Sequence, residues 1–410
     1  MKPLSLFLLV ILAFTETGYC QSVLQNGFYR ATLTRQDSNM VVFNLQVDDI
    51  NGKKRLQILN AEEKILVSDV SIKNDSVNFR MPAFESEFKS TIQSDGSLKG
   101  VWINRTASTT QYWPFAAVPG QNWRFAENQG KATNDINGKW EVSFTRPNNT
   151  IRPAIASFKQ TGNKLTGTFL TPSGDYRYLQ GIVTGDSLYL SAFDGSNVYL
   201  FSAKLENQHT ITGGLFRSGI AGKEKWEAVR NEKATLPSHA PSLKEGSSRL
   251  NFTFKDINGR MVSINDERFK NKVVIIQLMG SWCPNCLDET KFLSEYYNRN
   301  RSRGVEVIAL AYEYSTDFER SQKSLRRFQQ LYNVQYPMLI TGVTASDTMK
   351  TEKTLPQLTP IRAFPTTLFL DKKGYVRKLE SSYYGPVTGE FHEAFKKEFF
   401  ETVSGLIGEK

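Results

Sequence analysis

The chain has 410 residues, of which 40% are hydrophobic, and this length is enough for two or three domains with separate cores. The formal net charge is +10, but Lys and Arg are dispersed among acidic residues without a long basic run, which argues against a nucleic-acid partner. Three cysteines are too few for a small extracellular module held together by several disulfides.

The N terminus predicts a secretory signal peptide at residues 1–20. A basic start precedes the apolar run of residues 4–14, which is too short to span a bilayer. We expect cleavage before Gln21 and a location in the periplasm or cell envelope of a Gram-negative-type bacterium. Lipidation of Cys20 is the alternative, and membrane association is expected only in that case. Tyr19 is bulkier than the residue that usually precedes a lipidated cysteine.

Two β-rich modules are predicted next, module 1 at residues 24–125 and module 2 at residues 135–231. Short alternating runs rich in Thr, Val, Tyr and Phe are separated by turn signals such as Asn51-Gly52. Residues 27–35 align with residues 138–146, and the same offset recurs further along the chain. The sequence therefore predicts a duplication, in which each module is a small barrel or sandwich.

A linker is predicted at residues 232–249, where Pro237, Pro241 and Gly246 prevent a helix or a central strand. Residues 250–410, called here the redox domain, have an α/β pattern. We expect an entering hairpin and then a mixed sheet of four or five strands with helices on both faces. Its predicted strands include residues 273–278, an apolar run typical of a strand buried on both faces, together with Val305–Ala311 and Thr366–Leu370.

The most informative motif is Trp282-Cys283-Pro284-Asn285-Cys286, which follows the first apolar strand of the redox domain. This pattern is typical of a redox-active dithiol in a thioredoxin-like fold. If a helix begins beside Cys283, its free backbone N–H groups and its dipole favour the thiolate, so we expect Cys283 to be the exposed attacking group. Cys286, nearly one turn further on, would resolve the mixed disulfide. Pro284 fixes φ at the helix start without breaking the helix.

A Cys-x-x-Cys pair has two other common uses. A zinc site needs four ligands, but the chain has no second cysteine pair and its three histidines are isolated, so we expect no metal. A purely structural disulfide between these cysteines would close a very short loop and stabilise little. We also expect no flavin or nicotinamide cofactor, because no Gly-x-Gly-x-x-Gly follows a strand.

The redox domain resembles the TlpA/ResA-like branch of the thioredoxin superfamily, with the motif at residues 282–286, Glu289, and residues 364–371 as its most specific elements. The resemblance implies a thiol-disulfide oxidoreductase that reduces protein disulfides and is restored by an upstream thiol reductant protein. It also implies that Pro365 is cis and lies beside the dithiol, where the backbone holds an extended partner peptide; an ordinary trans proline is the alternative. We expect Trp282, Pro284 and Phe364 to contribute to substrate binding.

Glu289 is the predicted proton acceptor of the dithiol. On a helix its side chain returns toward the cysteines, and relatives often carry an acid at this position. A merely exposed helical acid is the alternative, and Asp288 is expected to point elsewhere into solvent. The chain departs from the family pattern at Gln277, where simple thioredoxins have a buried aspartate, and at Thr290, where many relatives have a proline. A third departure is the pair Pro284-Asn285 between the cysteines, where relatives have Gly-Pro or Glu-Pro.

The sequence is also compatible with two other functions. A peroxiredoxin-like thiol peroxidase would share the scaffold, but Cys283 lacks the Pro-x-x-x-Thr/Ser-x-x-Cys context of those enzymes. Alternatively, the β modules could be a binding platform with an accessory redox domain. A ligand site could then be lined by Trp102, Trp113, Trp123, Trp140 and Trp226, although aromatic residues in β modules are more often part of the core.

Overall fold

The structure is a computed structural model that describes residues 23–381 and 383–409. The predicted signal peptide and Cys20 lie outside the described residues. Within the described part of the chain, we find no helix with the length and apolar character needed to cross a membrane.

Module 1 is one antiparallel sheet of nine strands. The strands are β1 (Gly27–Thr34), β2 (Met40–Ile50), β3 (Lys53–Asn60), β4 (Glu63–Val67), β5 (Val70–Lys73), β6 (Ser76–Arg80), β7 (Ser86–Ile92), β8 (Leu98–Arg105) and β9 (Thr110–Pro119). Each strand pairs with its sequence neighbour up to β4, and again from β5 onward, while β9 returns to pair with β1. The sheet therefore curls around a core, with β4 and β5 at its two ends.

Module 2 repeats this layout in the second half of the all-β region. Its strands are β10 (Gly138–Thr145), β11 (Ile151–Thr161), β12 (Lys164–Thr171), β13 (Gly174–Asp175), β14 (Leu179–Thr184), β15 (Ser187–Phe193), β16 (Val198–Leu205), β17 (Thr210–Ser218) and β18 (Gly222–Arg230). Here β12 pairs with both β11 and β14, which closes the sheet into a barrel. The predicted all-β region with barrel-like modules is confirmed.

Aromatic side chains fill the cores of both modules. Trp102 and Trp113 are buried in module 1, and Trp140 and Trp226 are buried in module 2, so these tryptophans are core residues. Phe193 belongs to strand β15 but lies in the core of module 1, with its ring centroid 4.6 Å from that of Phe43 and 5.1 Å from that of Trp102. The two modules therefore share a core contact.

The redox domain is a seven-stranded sheet, and its three longest helices contribute to one apolar cluster on the same face of that sheet. Its strands are β19 (Thr253–Asp256), β20 (Met261–Ser263), β21 (Val273–Met279), β22 (Val305–Ala311), β23 (Met338–Ile340), β24 (Thr366–Leu370) and β25 (Val376–Ser381), in the order β20-β19-β23-β22-β21-β24-β25. Its helices are α1 (Pro284–Asn300), α2 (Phe318–Tyr332), α3 (Lys350–Thr354) and α4 (Glu390–Gly408). The sheet is wider than predicted because the entering hairpin joins it through the short strand β23.

Candidate active site

The two cysteines of the motif lie at the N terminus of α1. Cys283 is the N-cap residue, Pro284 is the first helical residue, and the backbone N–H of Cys286 donates to Cys283 Sγ at 3.2 Å. The Cys283 thiol also lies 3.6 Å from the carbonyl oxygen of Phe364. A sulfur that accepts a hydrogen bond from a free helical N–H, at the positive end of the helix dipole, is stabilised as a thiolate.

Both cysteines are buried, and the expectation of an exposed Cys283 is wrong for this arrangement. Cys283 is 6% exposed and Cys286 is fully buried. Ala83 and Phe84, from the loop between β6 and β7 of module 1, belong to the same apolar cluster as the two cysteines. The difference arises because the covering residues lie about two hundred positions earlier in the chain, and a local pattern does not report such a contact.

Glu289 is buried beside the dithiol helix, at 3% exposure, which excludes the alternative of an exposed helical acid. Its carboxylate accepts hydrogen bonds from Gln277 Nε2 and Thr367 Oγ1, both at 2.7 Å. Burial raises the pKa of Glu289 to about 7, although these two hydrogen bonds oppose the shift. Burial also raises the pKa of the Cys286 thiol, with smaller contributions from Cys283 and Glu289. An acid that titrates near neutral pH therefore lies close to a thiol that resists ionisation.

Two of the three departures from the family pattern, Gln277 and Thr290, contact each other. Thr290 Oγ1 donates to Gln277 Oε1 at 3.1 Å, inside the domain. Gln277 Nε2 donates to the carbonyl oxygen of Cys286 at 3.3 Å as well as to Glu289. Gln277 on strand β21 thus links the dithiol backbone to the buried acid.

The residues expected to bind substrate surround Cys283. The Phe364–Pro365 peptide bond is cis, as expected. The ring of Trp282 stacks on Tyr314 with 5.2 Å between centroids and meets Phe364 edge-on at 5.9 Å. Trp282 Nε1 donates to the carbonyl oxygen of Tyr312 at 2.8 Å, which holds the indole beside the dithiol.

Asp288 is not solvated as expected, because it pairs with an arginine of module 2. Its side chain is 16% exposed, and its oxygens lie 2.9 Å from Arg177 Nε and 3.1 Å from Arg177 Nη2. Burial raises the pKa of Asp288 to about 7, while Arg177 opposes the shift. Nothing in the local sequence pointed to this partner, since Arg177 follows a turn in another domain.

Glu313 is a second buried acid that the sequence reasoning missed. It follows strand β22, and its two oxygens accept hydrogen bonds from Ser281 N at 2.8 Å and from Ser281 Oγ at 2.5 Å. Burial raises the pKa of Glu313 to about 7. Glu313 comes just after a buried strand, at the sheet edge where the dithiol segment begins. This position was the sequence signal that could have identified Glu313 as a site residue. In the described residues, no group of three or more His, Cys, Asp or Glu side chains is arranged to hold a metal ion.

The strand β21, the Cys-x-x-Cys pair at the start of α1 and the cis-proline before β24 define a thioredoxin-like domain. Comparison with known proteins agrees, since residues 244–394 match the family model described as Redoxin. The thiol-disulfide oxidoreductase ResA of Bacillus subtilis is 25% identical over 162 residues, covering 40% of this chain and 77% of that protein. ResA of Bacillus cereus is 27% identical over 164 residues, covering 40% of this chain and 80% of that protein.

Among solved structures, a putative thiol:disulfide interchange protein DsbE from Chlorobium tepidum is 16% identical, with a TM-score of 0.30, and covers 40% of this chain and 99% of that chain. The sequence matches concern the C-terminal part of the chain, which is a redoxin domain homologous to the ResA proteins. Both relatives are named thiol-disulfide oxidoreductases, so the redoxin domain of this chain is similar to enzymes of that class.

Proposed function

We propose that this enzyme reduces disulfides of partner proteins in the cell envelope through Cys283 and Cys286, and that another thiol protein restores the dithiol. The observation that carries the proposal is the hydrogen bond from the Cys286 N–H to Cys283 Sγ at the start of α1. It stabilises negative charge on one sulfur and leaves the other, buried and hard to ionise, for the second step.

The reaction proceeds by two thiol-disulfide exchanges. Cys283 thiolate attacks one sulfur of the partner disulfide, the S–S bond breaks, and the departing partner thiolate takes up a proton. Cys286 then gives its proton to the Glu289 carboxylate and attacks Cys283 Sγ. The mixed disulfide bond breaks, and the second partner sulfur leaves as a thiolate that takes up a proton from solvent. Two electrons have passed to the partner, and the enzyme is left with a Cys283–Cys286 disulfide that an external dithiol reduces.

Substrate binding is assigned to the surroundings of Cys283. Phe364 and Pro365 offer a backbone edge to an extended partner segment, because the Phe364 carbonyl already lies against the Cys283 sulfur. Trp282 supplies an apolar ring at one side of this edge. Pro284 fixes the backbone at the start of α1, beside the sulfur that the partner disulfide must approach.

The test is the reduction of a protein disulfide, such as that of insulin, at the expense of a small dithiol. Cys283→Ser should abolish turnover, whereas Cys20→Ser should leave it unchanged. Cys286→Ala should accumulate a mixed disulfide, which allows the partner to be isolated from envelope extracts and identified by mass spectrometry. Full turnover by Cys283→Ser would show that the proposed mechanism is wrong.

The envelope location is proposed from residues 1–20 alone. The mass of the mature protein, recovered from fractionated cells, tests it directly. A soluble envelope protein that begins at Gln21 supports export with cleavage, and a lipid-bearing Cys20 in the membrane fraction supports the alternative. An intact N terminus in the cytoplasm contradicts both.

A further inference from the structure

Module 2 contacts the dithiol segment on both sides of Cys283. Ser196 Oγ donates to the carbonyl oxygen of Trp282 at 3.1 Å, and Asn285 Nδ2 donates to the carbonyl oxygen of Asp175 at 3.1 Å. Gly174 lies so close to Asn285 that a Cβ there would meet Asn285 Nδ2 at 2.5 Å. The residue before Cys283 and the residue between Pro284 and Cys286 are thus both held by one β module.

Module 1 supplies the apolar part of the same contact. Phe84 is buried against the cluster that contains both cysteines. The next residue, Glu85, is fixed to helix α2 by Arg320, whose Nη2 is 3.1 Å away, and by Ser324 Oγ at 2.7 Å. We call residues 81–85 of module 1, together with residues 174–177 and 194–197 of module 2, the cover.

Arg177 joins the three parts of the chain that meet at the cover. Its guanidinium pairs with Glu63 of module 1, with Asp194 of module 2 at 3.6 Å, and with Asp288 of α1 at 2.9 Å. The arginine side chain is only 7% exposed, and its backbone has a φ of 53°, a left-handed conformation that is unfavourable for a residue with a side chain. Such a conformation persists only where the surrounding contacts hold it.

We propose that the two β modules determine which disulfides reach Cys283 by covering the dithiol, and that Arg177 is the positioning residue that keeps the cover in place. The proposal rests on the proposed function, in which Cys283 is the attacking sulfur. In-line attack on a disulfide needs open space at that sulfur, and Cys283 at 6% exposure does not offer it to a folded partner. A partner protein therefore reacts only with the fraction of molecules in which the cover has moved away.

The proposal is tested by the alkylation rate of the reduced, full-length protein carrying Cys20→Ser, measured with iodoacetamide across a range of pH. Arg177→Gln should raise the plateau rate by about tenfold or more, because weakening the cover increases the open fraction. Arg55→Gln is the matched control, since Arg55 pairs with Asp48 at 3.1 Å inside module 1 and neither residue belongs to the cover, and it should have no effect.

A second variant, in module 1, separates loss of the cover from misfolding of module 2. Phe84→Ala removes apolar cover from a loop outside the strands of module 1, and it should also raise the plateau rate while the unfolding transition of the protein is retained. Unchanged plateau rates in both variants would overturn the proposal. If alkylation is unchanged but Cys283→Ser still abolishes disulfide reduction, the cover is refuted and the proposed function stands. Retained turnover by Cys283→Ser refutes the proposed function instead.

Discussion

The hydroxyl group of Thr290 donates a hydrogen bond to the side-chain oxygen of Gln277 at 3.1 Å. This contact favours the orientation in which the Gln277 amide nitrogen faces Glu289 and the Cys286 carbonyl, at 2.7 and 3.3 Å. A reversed amide would place its oxygen against the Glu289 carboxylate. Two residues that depart from the family pattern therefore act together to hold the buried acid.

We expect Thr290→Val to destabilise the redox domain by about 1–3 kcal/mol, because Gln277 Oε1 is left buried without its donor. Valine keeps the branched shape, so the loss reports the hydroxyl group. Urea denaturation measures the change. Thr348→Val, at an exposed position of the same domain, is the control and should stay within about 0.5 kcal/mol of the wild type. Equal effects of the two substitutions would contradict the role given to Thr290.

Glu289 makes stability depend on pH. Folding raises its pKa from the ordinary 4.5 to about 7, so the folded protein holds a proton that the unfolded chain has lost. This contribution is fully present below about pH 4.5 and is lost as pH rises through about 7. As pH rises from 4 to 8, the free energy of unfolding of Glu289→Gln should therefore increase by about 3 kcal/mol relative to that of the wild type. Urea denaturation at the two pH values measures this, and a pH-independent difference would show that Glu289 titrates normally.

Glu289→Gln should also slow the second thiol exchange by about 10²-fold or more, because glutamine cannot accept the Cys286 proton. The first exchange, at Cys283, should proceed at nearly the wild-type rate. Acid quenching during a single turnover should then reveal accumulated mixed disulfide. Glu295→Gln, at an exposed position of the same helix, is the control. If the mixed disulfide resolves equally fast in both variants, another group accepts the proton.

Glu313 holds the segment before the dithiol through Ser281. Glu313→Ala removes both acceptors and should cost about 1–3 kcal/mol of stability, since Ser281 N–H loses a buried partner. Glu313→Gln keeps an acceptor for that N–H and should restore most of the loss. Thermal and urea denaturation of the two variants give the comparison. Equal losses in both would indicate that the charge of Glu313, rather than its hydrogen bonds, is required.

Gly174→Ala offers a steric test of the cover. The new Cβ would lie 2.5 Å from Asn285 Nδ2 at a φ of +126°, whereas in Gly27→Ala the φ is a similar +118° with no atom within 4 Å. The two substitutions therefore share the backbone strain and differ in the clash. We expect faster alkylation of Cys283 only in Gly174→Ala. Equal rates in the two variants would mean that the contact at Asn285 does not hold the cover.

Local sequence signals were enough to predict the central part of the redox domain. The apolar run at residues 273–278 and the cysteine spacing predicted β21 and the start of α1, because chain neighbours decide both features. Helical spacing also predicted that the Glu289 side chain turns toward the cysteines. By contrast, β23 has three residues, too few for a periodic pattern to be seen.

The burial of Cys283 and the pairing of Asp288 could not be predicted in this way. Both depend on how the β modules dock against α1, and the docking residues Phe84 and Arg177 lie more than one hundred positions away from the helix in the sequence. An aspartate next to a buried helical position is normally exposed to solvent. Asp288 is buried because it pairs with Arg177, which is distant in the sequence. Contacts between domains produce no periodic pattern or residue spacing that can be recognised in a single sequence.

The place of Phe193 in the core of module 1 has a consequence for how the protein is made. Chains emerge from the ribosome N terminus first, and domains generally begin to fold in that order. Module 1 is released long before strand β15, yet its aromatic core is complete only when Phe193 arrives. The core of module 1 therefore remains incomplete until strand β15 of module 2 has been synthesised. During that interval the nascent chain exposes apolar surface and is vulnerable to aggregation.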